Sequence, residues 1–143
     1  MRLGGVDIPA PMRCTGHSDG DAVCHAVTDA ILGAASCGDI GEMFSDKDPA
    51  NAGRDSIQML EAAVSRIQSR GLYVVNVDVT VIAENPKIGP HRNAMRAHLS
   101  SALRIDATLV SVKGKTNEGM GWIGAEEGLA VIAVATVSDA PPG

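Results

Sequence analysis

The side chains with the most chemical potential sit in the string HSDGDAVCH, from His17 to His25. Asp21, His25 and Asp29 follow one another at steps of four, which places them on one side of a helix, with His17 just before its first turn. An imidazole with carboxylates one turn away is metal-ligand chemistry, although a catalytic zinc takes three protein ligands. The amides at a helix N-terminus would also suit a phosphate. The same residues serve equally as a turn histidine, a packed histidine and helix-capping aspartates, and spacing alone does not choose between these roles. A second group, Asp39, Asp46 and Asp48, could hold ribose hydroxyls or a cation, or simply form Asx turns.

A third group lies in GKTNEGMGWIGAEE, where Lys113, Lys115, Thr116 and Glu118 stand beside Gly114, Gly119, Gly121 and Gly124. Glycines let amides approach a phosphate, Lys and Thr donate to its oxygens, and Glu118 offers magnesium a hard oxygen. The spacing matches neither a P-loop nor a dinucleotide fingerprint, and a flexible surface loop accounts for it equally well. His91 and His98 have no carboxylate cluster and read as surface or interface histidines. Cys24 reads as a small buried residue with no group to activate its thiolate.

These groups need elements to position them. Leu3 to Ile8 is a short strand, a hairpin arm or sheet edge broken by Pro9 and Pro11. From Ser18 to Ser36, Val23, Val27, Ala30, Ile31 and Ala34 mark an amphipathic helix, capped by Ser18 or Asp19 and ended near Gly38. A loop from Gly38 to Asp55 follows, long enough to suggest function. A second helix runs from Ser56 to Ser69 and stops at Gly71. Residues 72–84 alternate as a half-buried strand, with Val75, Val77, Val79 and Val81 on one side. NPKIGPH turns into a third helix with Met95, Leu99, Ala102 and Leu103 buried; strands follow at Thr108 to Lys113 and Gly128 to Val137. The pattern predicts one α+β domain over residues 1–143, a mixed sheet covered on one face by about three helices, with a frayed tail at 138–143.

Composition narrows the functions. At 143 residues the chain can bury a full core without a disulfide or structural metal. Twelve basic against seventeen acidic residues give a net charge of −5 with no basic run, and the aromatics are only Phe44, Tyr73 and Trp122, which argues against nucleic-acid binding. Cys14, Cys24 and Cys37 lack C-x-x-C spacing, and no apolar run approaches the roughly 20 residues that span a bilayer. The expected setting is a soluble protein of a reducing compartment, without nucleic-acid or membrane partners.

Taken together, HSDGDAVCHAVTDAILGAASCGDIGEMFSDKDP, VNVDVTVIAENPKIGPH and VKGKTNEGMGWIGAEEG, in this order, resemble the 2-C-methyl-D-erythritol 2,4-cyclodiphosphate synthase family over about Leu3 to Val137. The resemblance implies a homotrimeric phosphorus–oxygen lyase of the non-mevalonate isoprenoid route. It would cyclise 4-diphosphocytidyl-2-C-methyl-D-erythritol 2-phosphate and release CMP, at sites between subunits, in bacterial cytoplasm or plastid stroma. It implies His17 and Thr116 as catalytic residues, with His17 and Ser18 on the methylerythritol phosphate. Asp39, Ile40 and Gly41 would contact the substrate around its ribose, and Phe44, Ser45, Asp46, Lys47 and Asp48 would close over it. Ala83, Glu84, Asn85, Pro86, Lys87, Ile88 and Gly89 would form the cytosine pocket. Lys115, Thr116 and Glu118 would gather the diphosphate, with Asn117 and Trp122 also among the substrate-binding residues. The implied cofactors are Zn2+ at His25 and Mg2+ or Mn2+ at Glu118.

The chain departs from the family pattern in three places. The family begins with a strand bearing an Asp-x-His pair that completes the zinc site, whereas here MRLGGVDIP stands first and no histidine precedes His17. The expectation is a start lying upstream of Met1, or else a shortened form that binds CDP and turns over slowly; the alternative function is a trimeric cytidine-nucleotide binder with an incomplete zinc site. Ala125 stands where many relatives carry an arginine facing the trimer axis, which puts an axial ligand in question. Lys115 replaces a common threonine and adds a donor.

Overall fold

The computed structural model describes residues 1–10 and 19–142. The expectations for His17, Ser18 and Cys14 therefore lie outside the described residues. The chain opens with a hairpin, β1 (Arg2–Leu3) paired antiparallel to β2 (Val6–Asp7). Gly4 and Gly5 both adopt positive φ, +59° and +78°, as a two-residue turn of this hand requires. Next come α1 (Ala22–Ala34), α2 (Ile40–Met43), α3 (Ser56–Ser69), β3 (Tyr73–Ile82), α4 (Arg92–Leu103), β4 (Val110–Lys115), α5 (Gly121–Gly124) and β5 (Ala130–Ser138). The sheet order is β4-β3-β5, with β3 parallel to β4 and antiparallel to β5, so the sheet is mixed as expected. Helices α1, α3 and α4 cover one face. No helix among the described residues is long and apolar enough to cross a membrane.

Helix α3 shows how local signals set an element. Asp55 caps it by accepting from the Ile57 amide at 2.9 Å, and Met59, Leu60, Ala63, Val64 and Ile67 form its buried stripe. At its end Gly71 takes φ +75° and the Leu72 amide reaches back to the Ile67 carbonyl at 3.0 Å. This is the left-handed termination that the glycine foretold. The stripe meets Val77, Val79 and Val81 of β3, all at most 2% exposed.

Three details of the sequence reading change. The cap of α1 is Asp21, whose Oδ1 accepts from the Cys24 amide at 2.9 Å; Asp19 instead turns toward Ser56. The left-handed residue that ends α1 is Ser36, at φ +54°, two residues before Gly38, which is itself left-handed at φ +88°; the Cys37 amide closes the turn on the Leu32 carbonyl at 2.8 Å. The buried face of α1 also differs, taking in Cys24, Thr28 and Leu32 and leaving Ala34 exposed. Third, the register of β3 on β5 shifts between Val74 and Asn76, so Val75 leaves the buried side and is 38% exposed. A bulge supplies the extra residue that breaks a strict period of two.

Beyond the bulge the two faces of the sheet separate cleanly. Val131, Ala133, Ala135 and Val137 of β5 pack toward the helices. The opposite face carries Ile132, Val134 and Thr136 across from Thr80, Asp78 and Asn76. Ile132 and Val134 are 57% and 63% exposed. Next to them Lys113 pairs with Asp78 at 2.9 Å, and this hydrogen bond, reinforced by the lysine charge, holds the Asp78 carboxyl below its ordinary range.

Candidate functional site

β3 and β4 end side by side, Ile82 opposite Lys115, and the Ala83 amide donates to the Lys115 carbonyl at 2.9 Å. There the chain leaves the sheet through residues 83–91 and folds back over the strand ends. A cavity of about 170 Å³ opens between this loop and β4. Its walls are Ala83 and Pro86 to Gly89 from the loop, Arg92 from α4, and Gly114 to Thr116. Ala83 and Ile88 are 6% and 5% exposed and make an apolar floor. Gly114 lets β4 run close beneath Ile88: a Cβ at that position would stand 3.0 Å from the Cβ of Ile88 and would push that side chain aside. Lys87, Arg92 and Lys115 are exposed around this floor. A small planar ring fits such a slot, and an anionic tail would meet the cations around it.

The cavity gathers Ala83, Pro86, Lys87, Ile88, Gly89, Lys115 and Thr116, which the sequence had singled out in two separate stretches. Gly114, one of the glycines named beside Lys115 and Thr116, also lines it, whereas Arg92 was not among the candidates. A signal for Arg92 existed, a cation one residue beyond a Gly-Pro-His turn, but the helical pattern absorbed it.

Glu84, Asn85 and Asn117 stand behind the cavity. The Glu84 carboxylate accepts from the amides of Asn117 at 2.8 Å and Gly119 at 3.0 Å. Amides of the glycine-rich loop that the sequence offered to a phosphate are thus held by the chain's own carboxylate, which ties that loop to residues 83–89. Asn85 donates to Glu126, and the Asn117 side chain donates to the Met120 carbonyl at 2.8 Å. Glu118 is exposed at φ +54°, and its carboxylate has no partner among the described residues. Trp122 is 54% exposed outside the cavity, with its ring against Gly128.

His25 belongs to a different cluster. Ser56 donates its hydroxyl proton to Asp19, and its oxygen lies 2.8 Å from His25 Nε2. The Asp19 carboxylate also receives the Ser56 amide at 3.1 Å, and Arg2 approaches it at 3.5 Å. Burial raises the Asp19 carboxyl, but the hydrogen bonds from Ser56 and from the Asp21 amide, with the Arg2 charge, outweigh it and hold the group below its usual range. Burial, with the charges of Asp21, Asp19 and Asp55, pushes the Cys24 thiol far up, so it supplies no thiolate near neutrality.

The carboxylates expected beside His25 are committed elsewhere. Asp21, fully buried, accepts from the amides of Gly4, Gly5 and Cys24 at 2.8, 2.7 and 2.9 Å, and Asp29 accepts from the Ile40 amide at 2.7 Å. Among the described residues no group of three or more His, Cys, Asp or Glu side chains could hold a metal ion. His25 by itself is not the donor set of a zinc centre. A magnesium site differs, since one or two carboxylates with substrate phosphates suffice, and Glu118, following the cavity residue Thr116, fits that chemistry.

The long loop is ordered by its own polar groups. Asp39 caps α2 by accepting from the Glu42 amide at 2.8 Å, and Asp48 accepts from the Ala50 amide at 3.0 Å. Ser45 accepts the Lys47 amide at 3.2 Å, and the Arg54 guanidinium lies 4.8 Å from the centre of the Phe44 ring. Gly41, Asp46 and Lys47 are exposed and Ile40 half-buried. None of this segment lines the cavity.

Fold and cavity define an α+β domain with a ring-sized pocket at the ends of two parallel strands and cations around it. The YgbB family model matches residues 1–138. A 2-C-methyl-D-erythritol 2,4-cyclodiphosphate synthase of Gemmatimonas aurantiaca is 67% identical over 137 residues, 96% of this chain and 82% of that protein. Among solved structures, the bifunctional IspDF of Campylobacter jejuni matches with a TM-score of 0.91 at 37% identity, covering 96% of this chain and 37% of the other. A CDP-bound 2C-methyl-D-erythritol-2,4-cyclodiphosphate synthase matches with a TM-score of 0.87 at 36% identity, covering 96% and 89%. The chain belongs to the YgbB family, the family of these synthases.

Proposed function

We propose that the chain cyclises 4-diphosphocytidyl-2-C-methyl-D-erythritol 2-phosphate to the 2,4-cyclodiphosphate and releases CMP. The observation that carries this reading is the cavity itself, an apolar slot with three cations around it in a chain 67% identical to a named synthase. The synthase names of the relatives favour catalysis over a non-catalytic nucleotide binder.

Ring closure joins an oxygen of the 2-phosphate to the β-phosphorus. The bond from that phosphorus to the bridging oxygen breaks, and CMP leaves with its electron pair. Two anions must meet, so alignment and charge neutralisation outweigh any need for a strong base. Residues 83–89 would seat the cytosine; Lys115 and Thr116 would donate to the diphosphate oxygens at its edge. Glu118 would hold Mg2+ or Mn2+, which supplies positive charge to the diphosphate when bound. By family likeness His17 and Ser18 would meet the methylerythritol phosphate, and residues 39–48 would approach the ribose. Zn2+ at His25 is a proposal from likeness alone, and no step here depends on it.

A homotrimer with sites shared between subunits belongs to the same reading, supported by the exposed apolar residues Ile132 and Val134 on the open face of the sheet. A bacterial cytoplasmic setting accords with the bacterial relatives. The decisive experiment supplies the substrate with Mg2+ and Zn2+ and follows CMP and the cyclic product by chromatography. Stoichiometric formation of both is expected; CDP binding with no CMP released would overturn the catalytic reading in favour of a binding protein.

A further inference from the structure

The cavity, at about 170 Å³, is smaller than the roughly 300–1,000 Å³ of pockets that enclose a whole small ligand. It therefore takes one ring, and the remainder of a nucleotide must lie at its mouth. Three side chains lining it are cations, Lys87, Arg92 and Lys115, and none is a carboxylate, in a chain whose net charge is −5. Arg92 is the least expected of them. Four other arginines are tied within the fold: Arg2 to Asp19, Arg54 to Asn51, Arg96 to the Val110 and Ala107 carbonyls, and Arg104 to Gln68 and Ser65; Arg66 and Arg70, at the end of α3, line no part of this cavity. Arg92 has no hydrogen-bond or ion-pair partner among the described residues and is exposed. It is also the first residue of α4, where a positive charge opposes the helix dipole, so helix stability does not account for it.

We propose that Arg92 is a phosphate-binding residue of this site, one that discriminates a cytidine nucleotide from the free nucleoside. The inference rests on the cytidine-nucleotide reading given above and adds to it a residue outside the motifs that carry the family likeness. With a pyrimidine in the slot, the guanidinium fork can hold two phosphate oxygens, while Lys87 and Lys115 supply point charges.

Calorimetry with cytidine, CMP and CDP, on the unsubstituted chain and on Arg92→Ala and Arg92→Lys, tests the assignment. Arg92→Ala is expected to weaken CDP about tenfold while leaving cytidine within about twofold, and Arg92→Lys to recover part of the loss. Unchanged CDP affinity in Arg92→Ala would overturn the assignment. An equal loss for cytidine and CDP would overturn it too, since that marks a packing role. If the unsubstituted chain binds no CDP, the nucleotide reading itself fails and this inference falls with it, a result visible before any substitution is made.

Discussion

Glu84 carries more of the site's architecture than its place in a loop suggests. Its two carboxylate oxygens each take one amide of the glycine-rich loop, so this side chain sets where Thr116 and Glu118 stand relative to residues 83–89. Glu84→Ala should weaken CDP binding by about 1.5–3 kcal/mol, the scale of hydrogen bonds to a charged group, and Glu84→Gln, which keeps one acceptor, should lose less. Titration calorimetry on the three proteins would measure this; equal affinities would show that the loop holds its place unaided. Residue types alone could not reveal the arrangement. The sequence showed a carboxylate in one stretch and glycines in another, but their pairing depends on β3 and β4 ending together. Arg92 carried a local signal next to the Gly-Pro-His turn, but its place in the cavity became visible only once the sheet brought the two segments together.

Elements set by local signals were legible, and those set by pairing were not. The bounds of α3 follow from its cap, its stripe and Gly71, all written within the segment. The bulge at Val74 to Asn76 arises from the pairing of β3 with β5, so no period read along β3 alone could locate it. The start of α1 was ambiguous because Ser18, Asp19 and Asp21 are all competent caps. The fold chose Asp21 because one buried carboxylate there serves the helix and the Gly4–Gly5 turn together. Asp21→Ala would leave three amides without their acceptor and should destabilise the chain by about 3 kcal/mol or more. Urea unfolding would register this as a lower midpoint at unchanged slope; a loss below about 1 kcal/mol would mean the hairpin is held by other contacts.

At the scale of the whole molecule, helices back one face of the sheet while the other leaves Ile132 and Val134 in the open beside the Asp78 and Lys113 pair. These two exposed apolar side chains are what the proposed trimer would cover. If the proposed trimer closes through this face, Val134→Asp would place a charge within it, and light scattering should read a single 14.7 kDa chain where the unsubstituted protein reads about three. An unaltered mass would remove this face from the assembly. β3 and β4 each have two duties, presenting side chains to that open face along their length and carrying the ring-sized cavity at their tips. A neighbour that gripped the flat of these strands would therefore also steady the seat at their ends, and the proposed assembly and ligand capture would draw on one shared length of backbone.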